Sequence, residues 1–180
     1  MSEHLYEKTI ASTTVYEGKV IDVKVDDVKL PNGHTSKREI VNHPGAVAVI
    51  ALTPEGNLLL VRQFRKPLER TIVEIPAGKL ELNEEPLHSA KRELEEETGY
   101  RSNQLEFVTS FYTSPGFADE IVHIYFTDQL TAGHVQTDED EFVDLLEVTL
   151  EDAEKMIETK EIFDAKTAFA IQYLRLRKDI

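Results

Sequence analysis

Residues 78–100 read GKLELNEEPLHSAKRELEEETGY, and this stretch decides the fold and chemistry expected of the chain. It places Glu93, Glu96 and Glu97 at positions i, i+3 and i+4, so their carboxylates share one face of a helix. Like charges in this arrangement destabilise an isolated helix by about 0.2–0.5 kcal/mol per pair. Grouped oxygen ligands are what Mg²⁺ or Mn²⁺ binds, and these ions commonly bridge to substrate phosphates. The pattern therefore indicates a site for a divalent metal and a phosphate.

An acidic run is also typical of a solvated helix face, because Glu is a good helix former. The wider pattern favours a site for a divalent metal and a phosphate over a solvated helix face. Leu87, Ala90 and Leu94 recur at i, i+3 and i+7, which gives the helix an apolar face opposite much of the acid. Pro86 suits a first helical turn, and Gly99 can take the left-handed conformation that ends a helix. The buried face would anchor the helix and leave the acidic face available.

This spacing resembles the Nudix box of the Nudix hydrolase superfamily. The box runs glycine, five residues, Glu, seven residues, Arg-Glu, an apolar residue, one residue, Glu-Glu, one residue, glycine. Every fixed position is matched, by Gly78, Glu84, Arg92, Glu93, Glu96, Glu97 and Gly99. Tyr100 follows, where an aliphatic residue is usual. The resemblance implies cleavage of the pyrophosphate in a nucleoside diphosphate that is linked to another group.

Composition narrows the class of protein. The chain has 180 residues and 41% hydrophobic content, which suits one globular domain with a proper core. It has no cysteine, which excludes disulfides, zinc-thiolate sites and thiol nucleophiles. A net charge of −14 argues against a nucleic-acid partner or an anionic membrane. No stretch resembles a membrane span or a signal peptide, so we expect a cytoplasmic location.

The first 43 residues are predicted to form an N-terminal antiparallel β subdomain. Residues 15–25 alternate as a strand does, and a shift of parity predicts a bulge or bend near Asp26-Asp27. Residues 31–33 read Pro-Asn-Gly, a turn signal, and residues 35–41 would return as the partner strand. A β-hairpin of this size makes a poor core of its own. It should pack on the rest of the chain or on a second copy.

Residues 44–180 are predicted to form an α/β sandwich with a mixed sheet. Apolar runs and turn signals predict strands at 46–52, 58–64, 71–75, 105–112, 121–126 and 141–148. Beyond the acidic helix, helical periodicity predicts helices at 151–158 and 165–177.

Several features resemble the ADP-ribose pyrophosphatase branch of the superfamily. Pro115 lies fifteen residues beyond Tyr100, although an ordinary turn would also explain it. The other features are the N-terminal β unit and residues 62–65 and 161–165. The resemblance implies a nucleotide-sugar substrate and a homodimer that exchanges the N-terminal β unit.

The resemblance also implies residue roles. Glu93, Glu96 and Glu97, with the backbone carbonyl of Ala77, match positions that hold Mg²⁺ or Mn²⁺, with two or three ions expected. Arg92 is expected to orient these carboxylates by bidentate hydrogen bonds. Glu81 and Glu84 are weaker candidates, as a water-linked group and an acid at the start of the helix.

A catalytic carboxylate is expected in the acidic loop at residues 137–141, although such loops are commonly only solvated. The resemblance assigns Glu139 as the base, with Glu141 as a further metal-linked candidate. Glu120, which follows Pro115, is the alternative base.

Substrate-binding candidates are spread along the chain. Arg38 and Arg65 match arginines that reach the phosphates or the terminal ribose, although both would also suit a solvent-exposed strand. Glu39 could hold a ribose or adenine group, and Pro115 and Gly116 are further contact candidates. For stacking on adenine the chain offers four aromatic residues, and the sequence does not choose among Tyr16, Phe111, Tyr112 and Phe117.

Three functions remain in contention at this level. The first is Mg²⁺-dependent hydrolysis of ADP-ribose to AMP and ribose 5-phosphate. The second is hydrolysis of another nucleotide, such as a nucleoside triphosphate, a different sugar nucleotide or a dinucleotide. The third is a non-catalytic domain that senses ADP-ribose, against which the intact box argues.

Overall fold

The computed structural model of the protein describes residues 3–134 and 142–178. Its strands are β1 (Lys8–Glu17), β2 (Asp22–Lys29), β3 (Thr35–Asn42), β4 (Ala46–Ala51), β5 (Leu58–Arg65), β6 (Arg70–Glu74), β7 (Ala77–Lys79), β8 (Tyr100–Arg101), β9 (Glu106–Tyr112), β10 (Ile121–Thr127), β11 (Thr131–Ala132) and β12 (Val143–Val148). The helices are α1 (Pro86–Thr98), α2 (Leu150–Glu158) and α3 (Ala165–Lys178).

The chain forms two compact units. The first comprises Met1–Gly45 with Phe111–Val122, and the second comprises Ala46–Ser110 with His123–Ile180. The functional division predicted at residue 43 stays a prediction.

The first unit contains the antiparallel sheet β1-β2-β3. Strands β2 and β3 pair without interruption, as the sequence predicted for residues 35–41. The single strand predicted at residues 15–25 is wrong, because the chain turns at Gly18, whose N–H donates to the carbonyl of Ile21 at 3.1 Å. The bulge or bend predicted near Asp26-Asp27 does not interrupt the pairing of β2 with β3. The irregularity lies on β1, whose register against β2 shifts between Thr9 and Ala11, opposite Val28 and Asp27, and again between Thr14 and Tyr16.

The missed strand β1 explains both errors. Its sequence, KTIASTTVYE, is polar and carries no regular alternation. It pairs with β2 so that Ser12 and Thr9 donate hydrogen bonds to the buried carboxylate of Asp26, at 2.6 and 3.3 Å. Asp26 and Val28 therefore lie on the same face of β2, and both are buried. This face is buried at both positions even though one of them is charged, so β2 needs no bulge to bury Val28.

The second unit is built around β4, whose residues 47–51 are fully buried. Its odd-numbered residues pack in a cluster that comprises Val47, Val49, Ala51, Leu59, Ala90, Leu94 and Tyr125. Even-numbered residues point to the opposite face of a strand. On that face Leu52 and Phe126 line a small cavity with Leu150 and Leu174, which belong to α2 and α3. Helices thus cover both faces, and the predicted α/β class with an N-terminal antiparallel β unit is confirmed.

Three sheets make up this part of the structure, with strand orders β7-β4-β10-β9, β12-β5-β6 and β11-β8. In β12-β5-β6 the central strand β5 is antiparallel to both neighbours. Strand β7 lies at the edge of its sheet, beside β4. Among the described residues no strand pairs with the other edge of β7, and the candidate site lies on that side.

Helix α1 begins and ends as the sequence predicted. Pro86 occupies its first turn, and Gly99 ends it with φ of 71°, donating to the carbonyl of Glu95 at 2.8 Å. Ala90 and Leu94 are fully buried. Leu87 departs from the prediction, since it is 37% exposed and lies outside the core cluster. Two residues of α1, and not three, therefore anchor it.

Within residues 3–134 and 142–178, no helix has both the length and the apolar character that crossing a membrane requires.

We predict that Leu94→Ala lowers the free energy of unfolding by about 2–5 kcal/mol, because it leaves a cavity between α1 and β4. Leu82→Ala is the matched control. Leu82 is 93% exposed, and its truncation should change the free energy by less than about 0.5 kcal/mol. Urea unfolding followed by circular dichroism measures both. Equal effects of the two substitutions would contradict the packing described for α1.

Candidate active site

Arg92 lies at the centre of the acidic face of α1. Its Nη1 donates to Glu93 Oε1 and to Glu96 Oε2, both at 2.8 Å. Its Nε and Nη2 donate to the two oxygens of Glu84, each at 3.1 Å, as a bidentate pair. Three of the predicted carboxylates thus converge on one guanidinium. The bidentate contact goes to Glu84, whereas Glu93 and Glu96 each accept one hydrogen bond from Arg92, and the orienting role expected of Arg92 stays a prediction.

The charges in this cluster stabilise one another. Hydrogen bonding from Arg92 lowers the pKa of Glu84, and hydrogen bonding to Glu84 raises the pKa of Arg92. Both groups are therefore charged at neutral pH. The guanidinium offsets the repulsion that the carboxylates would otherwise exert on one another.

Strand β7 presents the backbone of Ala77 to α1. Hydrogen-bonded and non-hydrogen-bonded residue pairs alternate along two antiparallel strands. Val49 N–H donates to the carbonyl of Pro76 at 2.9 Å, so the neighbouring pair, Ala48 and Ala77, is a non-hydrogen-bonded pair. Both polar backbone groups of Ala77 consequently point away from β4. Its N–H donates to Glu97 Oε2 at 2.8 Å. Its carbonyl points to the same side, where the sequence predicted a metal ligand.

Gly78 lets a carboxylate lie directly against β7. A Cβ atom at this position would stand 1.8 Å from Glu93 Cδ and 1.9 and 2.2 Å from the two carboxylate oxygens. Any larger side chain at this position would have to displace the carboxylate of Glu93. Glu93 and Glu97 are both buried at this junction, so the strand and the helix bring them together.

The donor chemistry fits Mg²⁺ or Mn²⁺, because carboxylates and a backbone carbonyl are hard oxygen ligands. In the described ranges, no three His, Asp or Glu side chains form a ready-made metal site. The hydrogen bonds give the reason. Glu93 and Glu96 turn an oxygen toward Arg92, and Glu97 turns one toward the N–H of Ala77. The assignment of these residues as metal ligands stays a prediction.

Arg65 belongs to the same unit as α1 and ends β5. Its Nε donates to Glu74 Oε2 at 2.6 Å. The side chain is 38% exposed. Its predicted contact with substrate is compatible with this exposure and stays a prediction.

Arg38 lies in the first unit, where Glu7 already binds its guanidinium. Arg38 Nε and Nη2 donate to the two oxygens of Glu7, at 2.8 and 2.6 Å, and Nη1 donates to Ser36 Oγ at 3.0 Å. Hydrogen bonding to Glu7 raises the pKa of Arg38. A substrate phosphate that binds this fork would have to replace Glu7. The neighbouring Glu39 is exposed.

Pro115 and Gly116 are exposed in a turn of the first unit. The carbonyl of Ser114 closes this turn by accepting from Phe117 N–H at 3.1 Å. Glu120, the alternative base, accepts from Thr113 Oγ1 at 2.5 Å.

Three further candidates have different outcomes. Glu81 is exposed, and its backbone N–H donates to Glu84 Oε2 at 3.1 Å. Glu139 and Glu141 lie outside the described residues, so their roles stay predictions.

Sequence reasoning missed the partners of the two arginines. Glu7 precedes β1, which was not recognised as a strand. Glu74 carried a signal, because a charged residue within the buried strand segment Ile72-Val73-Glu74-Ile75 requires a partner. No local sequence pattern indicated Lys166 as a partner, because its position beside Glu74 depends on how α3 packs.

Comparisons with known proteins identify the family. Residues 42–169 match the NUDIX domain, and residues 7–41 match the nucleoside diphosphate sugar hydrolase N-terminal domain. The ADP-ribose pyrophosphatase of Bacillus subtilis is 63% identical over 97% of this chain and 95% of its own length. A methanol dehydrogenase activator of Bacillus methanolicus is 56% identical over 99% of this chain and 97% of its own length.

A solved structure supports the fold. The crystal structure of an ADP compounds hydrolase matches with a TM-score of 0.84 and 21% identity, over 95% of this chain and 94% of that one. At this identity the likeness shows the fold alone. Together with the family matches and the complete box at residues 78–99, it leads to one conclusion: the chain belongs to the Nudix family, in the branch predicted from its sequence.

Proposed function

We propose that this protein hydrolyses the pyrophosphate of ADP-ribose to AMP and ribose 5-phosphate, with Mg²⁺ or Mn²⁺ as cofactor. The observation that carries the proposal is the 63% identity to the Bacillus subtilis ADP-ribose pyrophosphatase over almost the whole chain. The convergence of Glu84, Glu93 and Glu96 on Arg92 adds support from geometry.

Residues of α1 and β7 would hold the metal. Glu93, Glu96, Glu97 and the carbonyl of Ala77 would supply oxygen ligands for two or three ions. When bound, such ions neutralise the pyrophosphate and lower the pKa of a coordinated water. Arg92 keeps the carboxylates oriented. Because the chain carries a net charge of −14, bound cations and nearby arginines would offset the repulsion of an anionic substrate.

Glu139 would accept the proton of the attacking water at a carboxylate oxygen, and Glu141 would assist as a further metal-linked group. Arg65 and Arg38 would bind phosphate or ribose oxygens, and Glu39, Pro115 and Gly116 would contact the nucleoside end. Water would attack phosphorus in line with the departing phosphate.

We predict that the purified protein converts ADP-ribose to AMP and ribose 5-phosphate only when Mg²⁺ or Mn²⁺ is present. The measurement is mass spectrometry of the products from a panel of nucleotides, with and without EDTA. Running the reaction in ¹⁸O-labelled water tells which phosphorus takes the oxygen. Release of inorganic pyrophosphate from a nucleoside triphosphate, with ADP-ribose left intact, would refute the proposed substrate.

We predict that Gly78→Ala abolishes metal-dependent activity and leaves the fold intact. The new methyl group must displace the Glu93 carboxylate, which sits at the end of a flexible side chain. The measurements are turnover and the rise in melting temperature on adding Mg²⁺, and both should be lost. Lys79→Ala, on the same strand, should keep both. Wild-type turnover in the Gly78→Ala protein would show that Glu93 is not a metal ligand.

We predict that Glu139→Gln lowers kcat by roughly 10²–10⁴-fold with little change in KM, as expected for loss of a general base. Steady-state kinetics of Glu139→Gln, Glu141→Gln and Glu120→Gln, measured side by side, identify the base. If the large fall in kcat occurs in Glu120→Gln and not in Glu139→Gln, the assignment passes to Glu120.

We also propose a homodimer that exchanges the N-terminal β unit, in the cytoplasm. All ten residues of β1 are exposed in the single chain, and Ile10, Val15 and Tyr16 are each more than half exposed. Light scattering should give twice the chain mass of 20.5 kDa. Val15→Asp should weaken the association, because it places a charge among these exposed apolar side chains. A monomeric wild-type protein would contradict the proposal.

A second candidate function is activation of a dehydrogenase, favoured by the 56% identity to the Bacillus methanolicus activator. It is compatible with the hydrolase proposal, since both relatives align along nearly their full lengths. An increase in the turnover of a purified methanol dehydrogenase on adding the protein would support it.

A further inference from the structure

A buried network of charged residues connects β5, β6 and the first turn of α3, and it surrounds Glu74. This residue is 3% exposed. Its Oε2 accepts from Arg65 Nε at 2.6 Å, and its Oε1 accepts from Lys166 Nζ. Lys166 Nζ donates also to Asp164 Oδ2, at 2.9 Å. One carboxylate therefore holds two cations, of which one is largely buried and the other reaches solvent.

The register of the strands shows in which direction Arg65 extends. Its backbone lies opposite Arg70, whereas Glu74 lies opposite Val61, four residues farther along β6. Four residues of strand span about 13 Å. To reach Glu74, the side chain of Arg65 must therefore run along the sheet toward the end of β6. That end continues through Ile75 to Ala77 and Gly78, where β7 meets the acidic helix.

The contact with Glu74 uses only the Nε group of the Arg65 guanidinium. In the part of the chain that the structure describes, the Nη1 and Nη2 groups of Arg65 make no hydrogen bond. An arginine held by its Nε presents its two terminal nitrogens as a donor pair, which matches two oxygens of a phosphate. Arg65 is thus oriented before any ligand binds.

Folding stability does not explain this network. A buried ion pair is a weak source of stability, because desolvation of its charges offsets their attraction. Asp164 adds a cost of its own, since its Oδ1 is buried without a hydrogen-bond partner among the described residues. Burial would raise the pKa of Glu74, but Lys166 and Arg65 outweigh it and hold that pKa below its ordinary value. The carboxylate therefore stays charged.

The first turn of α3 is also fixed to β6 beside Glu74. Thr167 Oγ1 accepts from the backbone N–H of Ile75 at 2.9 Å. Asp164 Oδ2 accepts from the N–H groups of Lys166 and Thr167, at 3.1 and 3.3 Å. Lys166 consequently has a fixed base from which to hold Glu74.

We propose that Glu74, held by Lys166, is a positioning residue that aims the guanidinium of Arg65 at a phosphate of the substrate. The inference rests on the proposed function only in naming a nucleoside diphosphate as the substrate class. Glu74 makes no contact with the substrate itself and acts through Arg65.

Steady-state kinetics with ADP-ribose at saturating Mg²⁺ test the proposal. Glu74→Gln keeps the shape of the side chain but weakens the hydrogen bond to Arg65, and it should raise KM about tenfold while kcat changes little. Arg65→Gln should raise KM at least as much. The double substitution should match Arg65→Gln within about twofold, since residues that act through one another are not additive.

Glu161→Gln is the matched control. Glu161 forms an exposed ion pair, at 3.3 Å, with Arg62, which lies on the same strand as Arg65. Loss of this ion pair should leave KM unchanged. Melting temperatures of all variants separate a structural role from a positioning role. A Glu74→Gln protein with a lowered melting temperature and an unchanged KM overturns the proposal. The proposal is also overturned if the increase in KM of the double variant equals the product of the increases in the two single variants.

A binding measurement distinguishes failure of this inference from failure of the proposed function. Calorimetric titration with inorganic pyrophosphate and Mg²⁺ needs no turnover. If ADP-ribose is not hydrolysed but Glu74→Gln weakens pyrophosphate binding relative to Glu161→Gln, the positioning role stands and the proposed substrate falls. If ADP-ribose is hydrolysed and Glu74→Gln leaves KM unchanged, only the inference falls. A protein that neither hydrolyses ADP-ribose nor binds pyrophosphate refutes both.

Discussion

The interaction on which the site depends is the contact of one guanidinium with three carboxylates. Glu84, Glu93 and Glu96 would repel one another on an isolated helix. Arg92 donates to all three, and the pKa shifts that it shares with Glu84 keep both charged. A cluster held in this way has its oxygens already gathered and charged, which is the arrangement that the proposed metal binding requires.

The acidic cluster can exist because other parts of α1 supply the stability. Ala90 and Leu94 bury the opposite face of the helix against β4, and Gly99 ends the helix. On the side of β7, Gly78 removes the one side chain that would exclude Glu93. Packing and backbone geometry thus maintain an arrangement that electrostatics alone would disfavour.

Local patterns predicted those parts of the fold that local physics controls. The apolar run of β4, the turn at Pro31-Asn32-Gly33 and both ends of α1 depend on residues close in sequence, and each was predicted. Strand β1 was missed, because its polar sequence has no alternation and its pairing with β2 is what makes it a strand. Leu87 was placed in the core by periodicity, which does not tell how far the packed face of a helix extends.

The sequence by itself determined the candidate site, since the fixed spacing of Gly78, Glu84, Arg92 and the following glutamates lies within one strand, one loop and one helix. Only the tertiary structure decided which distant groups are in contact. It brought the N–H of Ala77 to Glu97, and outside the box it set Lys166 of α3 beside Glu74 of β6, 92 residues away. Spacing along a helix is fixed by helical geometry, whereas contacts between distant segments depend on how whole strands and helices pack.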